Sequence, residues 1–194
     1  MKGYRGFKIE TDTDTVLLTT AETKTFLKVD VSDDDTLIDN LIQAATLSCE
    51  EYTNRFFIER TLKQYAPTWK GIQNLLKSPV ASVTHIKYYD NADSLQTLST
   101  DIYSLNNVLM PSKIELKDGQ DYPDIADRWD AIEVQYVVGV ASAANVSEAI
   151  KQAVLLTVGT WYQNRQSVVT GTQVNEIPMT SKYLLDQYKI QVVR

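Results

Sequence analysis

The chain has 194 residues, 43% of them hydrophobic, with 19 basic against 25 acidic side chains and a formal net charge of −6. That length and apolar content are enough for one domain that buries roughly 70% of its unfolded surface without a disulfide or metal staple. One cysteine, Cys49, and one histidine, His85, exclude a disulfide framework and a zinc site built from Cys and His, and the acidic balance argues against phosphate-backbone binding as the main task.

No apolar run approaches the roughly 18 to 20 residues of a membrane span, and residues 1–15 lack the apolar stretch of a signal peptide, so a cytosolic, soluble chain without a membrane is expected. The first helix signal is Thr19 three residues before Glu22, a capping box, with Phe26 and Leu27 as apolar contacts and an end near Val29. After the acidic run Asp30 to Asp35, the residues Leu37, Ile38, Leu41, Ile42, Ala45, Cys49 and Tyr52 recur at helical spacing. They predict an amphipathic helix from about Asp34 to Thr53, with Ser32, Asp33 and Asp34 as N-cap candidates and Cys49 in the core. Residues 56–140 change character: β-branched and aromatic side chains alternate with polar ones between Pro, Gly, Asn and Asp. Strands are expected over Ile58–Tyr65, Val83–Tyr89, near Tyr103, over Lys113–Leu116 and over Ala131–Val138, with a hairpin tip between Tyr88 and Leu95. Past Gly139, Ser147 is positioned to cap a second long helix over residues 147–166 that carries Ile150, Val154, Val158, Trp161 and Tyr162 on one face. The segment Val168 to Met179 reads as a loop, followed by a short helix Ser181–Tyr188 and an extended tail Lys189–Arg194. The expected fold is a single α+β domain in which long helices near both ends pack beside a small, mostly antiparallel, β-rich middle. Its parts are an N-terminal extension (1–15), a helical segment (16–55), the β-rich middle (56–140), the long helix (147–166) and the C-terminal helix and tail (180–194).

Sites for chemistry are hard to find. His85 stands alone in a predicted strand with no nucleophile beside it. Asp118, Asp121, Asp124 and Asp127 supply oxygens that a calcium ion would take, but Gly119 follows the first aspartate instead of filling the sixth loop position and no Glu closes the twelfth. A solvated loop is the expectation. Neither a P-loop nor a GxGxxG pattern occurs. Arg55, Arg60 and Lys63 interleave with Phe56, Phe57 and Tyr65, as in a stacking surface for nucleic acid, yet strand alternation accounts for the same residues and Glu59 interrupts the charge. Trp161, Tyr162, Asn164 and Arg165 read as packing at a helix end. No catalytic, cofactor or metal site is expected.

The ordered set of pieces carries more information than any one of them. Thr20-Ala21-Glu22 with Phe26 to Asp30, Asp33 to Asp35 with Leu37-Ile38 and Leu41 to Ala45, and Glu51 to Arg55 are followed by Ser78-Pro79-Val80, Tyr88-Tyr89-Asp90 and Leu95 to Leu98. Ile150 to Ala153 with Leu155-Leu156, then Trp161 to Arg165, Glu176-Ile177-Pro178 and Leu184-Leu185 complete the set. In this order they resemble the head-tail connector family of tailed bacteriophages, also called adaptor or head-completion proteins and found in gene transfer agents, over about residues 16–190. The resemblance implies a non-enzymatic virion protein of the neck, assembled in the host cytoplasm. Its copies, commonly twelve, are expected to ring the channel beneath the portal and to offer a platform to the stopper or tail-completion protein. Double-stranded DNA would pass through without sequence-specific binding. The stretch Asp118 to Asp130 departs from the family pattern. Leu184, Leu185, Tyr188, Ile190, Val192 and Val193 are too many apolar groups for a free tail and are the expected portal interface. The rival reading, a DNA-recognition subunit of the packaging machinery, calls for a basic helix-turn-helix that the sequence lacks.

Overall fold

The computed structural model describes residues 6–12, 15–108, 110–164, 168–169, 172–173 and 177–190. These fall into two compact units, one within residues 1–13, 59–140 and 190–194 and one within residues 14–58 and 141–189.

The first unit is built on a five-stranded sheet of order β1-β2-β7-β3-β4, every pairing antiparallel. Its strands are β1 (Gly6–Thr11), β2 (Arg60–Ala66), β3 (Val80–Tyr89), β4 (Leu95–Thr97) and β7 (Ile132–Val138). Alternation along β7 buries Ile132, Val134, Tyr136 and Val138 on one face, and Leu62, Gln64 and Ala66 of β2 fall on the same face through their cross-strand partners. The hairpin expected between Tyr88 and Leu95 is present: Asp90 accepts from the Ala92 and Ser94 amides through its carboxylate, and Asp93 takes the left-handed conformation at φ 58°. A short helix, α3 (Trp69–Ile72), and the hairpin β5 (Tyr103–Asn106) with β6 (Lys113–Leu116) complete the unit. Gly71 lets the chain double back, because a Cβ there would stand 2.6 Å from that of Ala66.

The fold class is the expected one, helices and an antiparallel sheet in separate stretches of chain, and the predicted strands lie within a few residues of the observed ones. The segment read as an N-terminal extension contains a strand, however. β1 lies at the sheet edge with all six residues exposed, so it lacks the half-buried alternation by which strands are recognised. Charges line it, Lys8 with Glu10 at 3.7 Å and Glu10 with Lys63 at 3.2 Å, the usual protection of an edge.

In the second unit, α1 (Thr20–Leu27) has the expected capping box: the Thr19 side chain accepts from the Glu22 amide at 3.2 Å and the Glu22 carboxylate accepts from the Thr19 amide at 2.8 Å. Helix α2 (Asp35–Thr53) buries Ile38, Ile42, Ala45 and Cys49 as its periodicity requires, and stops at Asn54 in the left-handed conformation. It packs on α4 (Glu148–Gln163), whose Tyr162 hydroxyl donates to Asp34 at 2.5 Å. Gly159 brings α4 close to α1, where its hydrogen faces the Phe26 ring at a position whose Cβ would lie 3.1 Å away. Asp34 and Ser147 occupy the expected N-cap positions, but neither makes a side-chain cap bond, because each side chain is engaged by a tyrosine hydroxyl instead. The segment read as a loop from Val168 contains paired strands β8 (Val168–Val169) and β9 (Thr172–Gln173), too short to leave a periodic signal, and α5 (Met179–Asp186) starts two residues earlier than expected.

Candidate interaction surfaces

Helix α5 and the residues after it are held by a local polar network. Thr157 donates to the buried Ser181 hydroxyl at 3.2 Å, Tyr52 donates to Asp186 at 2.6 Å, and the Tyr188 and Ser147 hydroxyls lie 2.6 Å apart. The carboxylate of Asp186 raises the Tyr52 phenol above its ordinary pKa, since a bonded anion favours the neutral phenol. Arg55 lies 6.0 Å over the Tyr188 ring and Lys189 lies 4.2 Å over the Tyr52 ring. Burial holds the Arg55 guanidinium below its ordinary pKa.

This arrangement divides the apolar residues singled out near the C-terminus. Leu185 is 0% exposed and Ile190 is buried, so both are consumed within the chain. Leu184 and Tyr188 are half-buried, while Val192 and Val193 lie outside the described residues. Met179 and Tyr183, 87% and 80% exposed, occupy the opposite side of α5 from Leu185. Sequence reasoning passed over them, although their spacing of four puts them together on one helix face.

The basic and aromatic interleaving after α2 does not form a nucleic-acid surface. Phe56 and Phe57 are buried, Arg60 pairs with Asp12 at 2.6 Å, and Lys63 stands between Glu10 and Glu133. His85 meets Glu133 at 3.2 Å, and the same carboxylate accepts from Tyr65 at 3.0 Å. Burial first, and that hydrogen bond second, push the Tyr65 phenol up to about 12. At the end of α4, Asn164 donates to the Thr160 carbonyl at 2.9 Å and Trp161 is half-buried, as in helix-end packing; Arg165 lies outside the described residues.

The segment between β6 and β7 is the other distinctive surface. Asp118, Asp121, Asp124 and Asp127 are all exposed, and no group of His, Cys, Asp and Glu among the described residues could hold a metal ion. The segment is nonetheless anchored. The Trp69 and Tyr122 rings stack at 4.5 Å and 5°, the Trp69 indole donates to the Pro123 carbonyl at 2.8 Å, and the Ala126 amide donates to Tyr89 at 2.9 Å.

A family model described as head completion protein matches residues 16–191. The chain belongs to the head completion protein family. A head completion protein is a structural component of its particle and not an enzyme. Three solved structures share the fold over 97% of both chains. They are the neck of an empty GTA particle (TM-score 0.78, 21% identity), the virion of a native gene transfer agent particle (0.79, 21%) and the neck of a native GTA particle (0.76, 20%). No curated protein matches the sequence.

Proposed function

We propose that this head completion protein acts as the head-tail connector of the neck. Copies, commonly twelve, would form a ring beneath the portal that extends the DNA channel and offers a platform to the stopper or tail-completion protein. The observation that carries the reading is the family match over residues 16–191. The fold shared over 97% of each chain with neck and virion structures of gene transfer agent particles supports it. Ring closure calls for heterologous contacts, in which different faces of neighbouring copies meet. Duplex DNA passes the ring without sequence-specific binding, because an acidic wall of like charge keeps the backbone away. Assembly takes place in the host cytoplasm, and the isolated chain stays monomeric until the portal templates the ring.

Portal docking falls to the C-terminal end, with Leu184, Tyr188, Val192 and Val193 as the contacting groups and the buried Leu185 and Ile190 as their anchors. A deletion beginning at Tyr188 would also remove the bond to Ser147 and the buried Ile190. Removal of Gln191 to Arg194 alone is the cleaner test. The shortened protein is expected to melt like the full chain and to fail in pull-down by purified portal. Retained portal binding overturns the assignment of docking to the tail, and no annular particles when the full chain is mixed with portal overturns the connector reading.

A further inference from the structure

Ser147 stands at the N-cap position of α4 but makes no side-chain cap bond there, and its hydroxyl lies 2.6 Å from that of Tyr188. A hydroxyl that would ordinarily close a helix start is thus spent on the root of the C-terminal tail. The end of α2 supplies two further contacts to the same root. Tyr52 donates to Asp186 at 2.6 Å while Lys189 lies 4.2 Å over its ring, and Arg55 lies 6.0 Å over the Tyr188 ring. Backbone bonds close the turn, from the Tyr188 amide to Leu185 at 2.9 Å and from the Lys189 amide to Asp186 at 3.2 Å. All of these groups lie in the second unit. Contacts from α2, α4 and α5 therefore converge on residues 186–189, just before the four residues that the truncation removes.

We infer that Ser147 and Tyr52 are positioning residues for the tail: they fix the direction in which residues 191–194 leave the domain, so that the portal meets a segment whose root is already ordered. Neither side chain needs to touch the portal. The inference rests on portal docking by the tail and deepens it by naming the groups that aim it. Ordering a segment at the moment of binding costs affinity, and a root fixed beforehand removes part of that cost. Chains of gene transfer agent particles keep this fold inside the assembled particle over 97% of this chain, which favours a bracket that holds the binding-ready form over one that must first open.

Purified portal of the same particle is titrated with the full chain, with Ser147→Ala, Ser147→Thr and Tyr52→Phe, with the double variant Ser147→Ala, Tyr52→Phe, and with the chain lacking Gln191 to Arg194. Ser147→Ala and Tyr52→Phe each remove one hydrogen bond, and Tyr52→Phe keeps the ring under Lys189. Such a loss leaves a domain of ordinary stability folded at the titration temperature, which thermal melts verify. A purely structural role would therefore leave the affinity at the wild-type value. Ser147→Ala and Tyr52→Phe are each expected to weaken portal binding about three- to tenfold, and the double variant more than either. Ser147→Thr, which keeps the hydroxyl, is expected to bind like wild type. Should Ser147→Ala unfold, Tyr52→Phe decides alone. Wild-type or tighter binding by the double variant overturns the inference and leaves tail docking standing, and so does a Ser147→Thr chain as weak as Ser147→Ala. A full chain that does not bind portal, or a truncated chain that still does, overturns tail docking and this inference with it.

Discussion

Gln64 shows how much one buried polar side chain organises. It is 0% exposed on the core face of β2, donates to the carbonyls of Gly71 and Asn74 at 3.2 and 3.3 Å, and accepts from the Leu76 amide at 3.0 Å and the Tyr136 hydroxyl at 3.1 Å. Gln64→Leu keeps the volume but removes one hydrogen bond from each of four groups, so urea denaturation is expected to show a loss of about 2–4 kcal/mol. Cys49 gives a pH dependence. Burial pushes its thiol from the ordinary 9.0 up to about 11. A proton held more tightly in the folded state contributes stability below the unfolded pKa, and that contribution disappears as pH rises from about 9 through about 11. Between pH 8 and 11 wild type is expected to lose about 2–3 kcal/mol more than Cys49→Ala, measured by urea titration at each pH. Equal slopes would show that the thiol is not the titrating group.

At the scale of elements, α1 depends on its cap more than its neighbours do. It is eight residues long and buries only Thr23 among its helical residues, so packing does little to hold its first turn. Thr19→Ala is expected to cost about 1 kcal/mol near neutral pH, read as a lower Tm. The Thr19 amide first, and the Thr19 hydroxyl second, hold the Glu22 carboxyl below its ordinary value, and Thr19→Ala removes the hydroxyl bond. The stabilisation is therefore present above the usual carboxylate range and lost as pH falls through the lowered value, and the wild-type advantage should shrink in acid. A Thr19→Ala penalty that is unchanged at low pH would mean the Thr19 hydroxyl does not bond the ionised carboxylate. Helix α2 relies on a different source of stability. It has no side-chain cap bond, and four apolar residues along one face, Ile38, Ile42, Ala45 and Cys49, bind it to the rest of its unit.

For the whole molecule, identity of 20–21% with a TM-score of 0.76–0.79 to chains of gene transfer agent particles means that the fold persists where most side chains differ. Removal of Gln191 to Arg194 should abolish portal binding while leaving the melting temperature unchanged.

The sequence by itself determined the α+β class, the two long helices, the capping box, the inner strands of the sheet and the absence of recognisable catalytic spacing. Each of these is written in a local period or in a pair of residues three or four apart. Tertiary structure alone decided the rest. β1 is a strand only because β2 offers it a backbone to pair with, and nothing in GFKIET alternates in burial. Leu185 and Trp129 are both large and apolar, yet one is 0% exposed and the other 68%. Burial is a property of what folds back over a side chain, and those neighbours are brought in from distant parts of the chain.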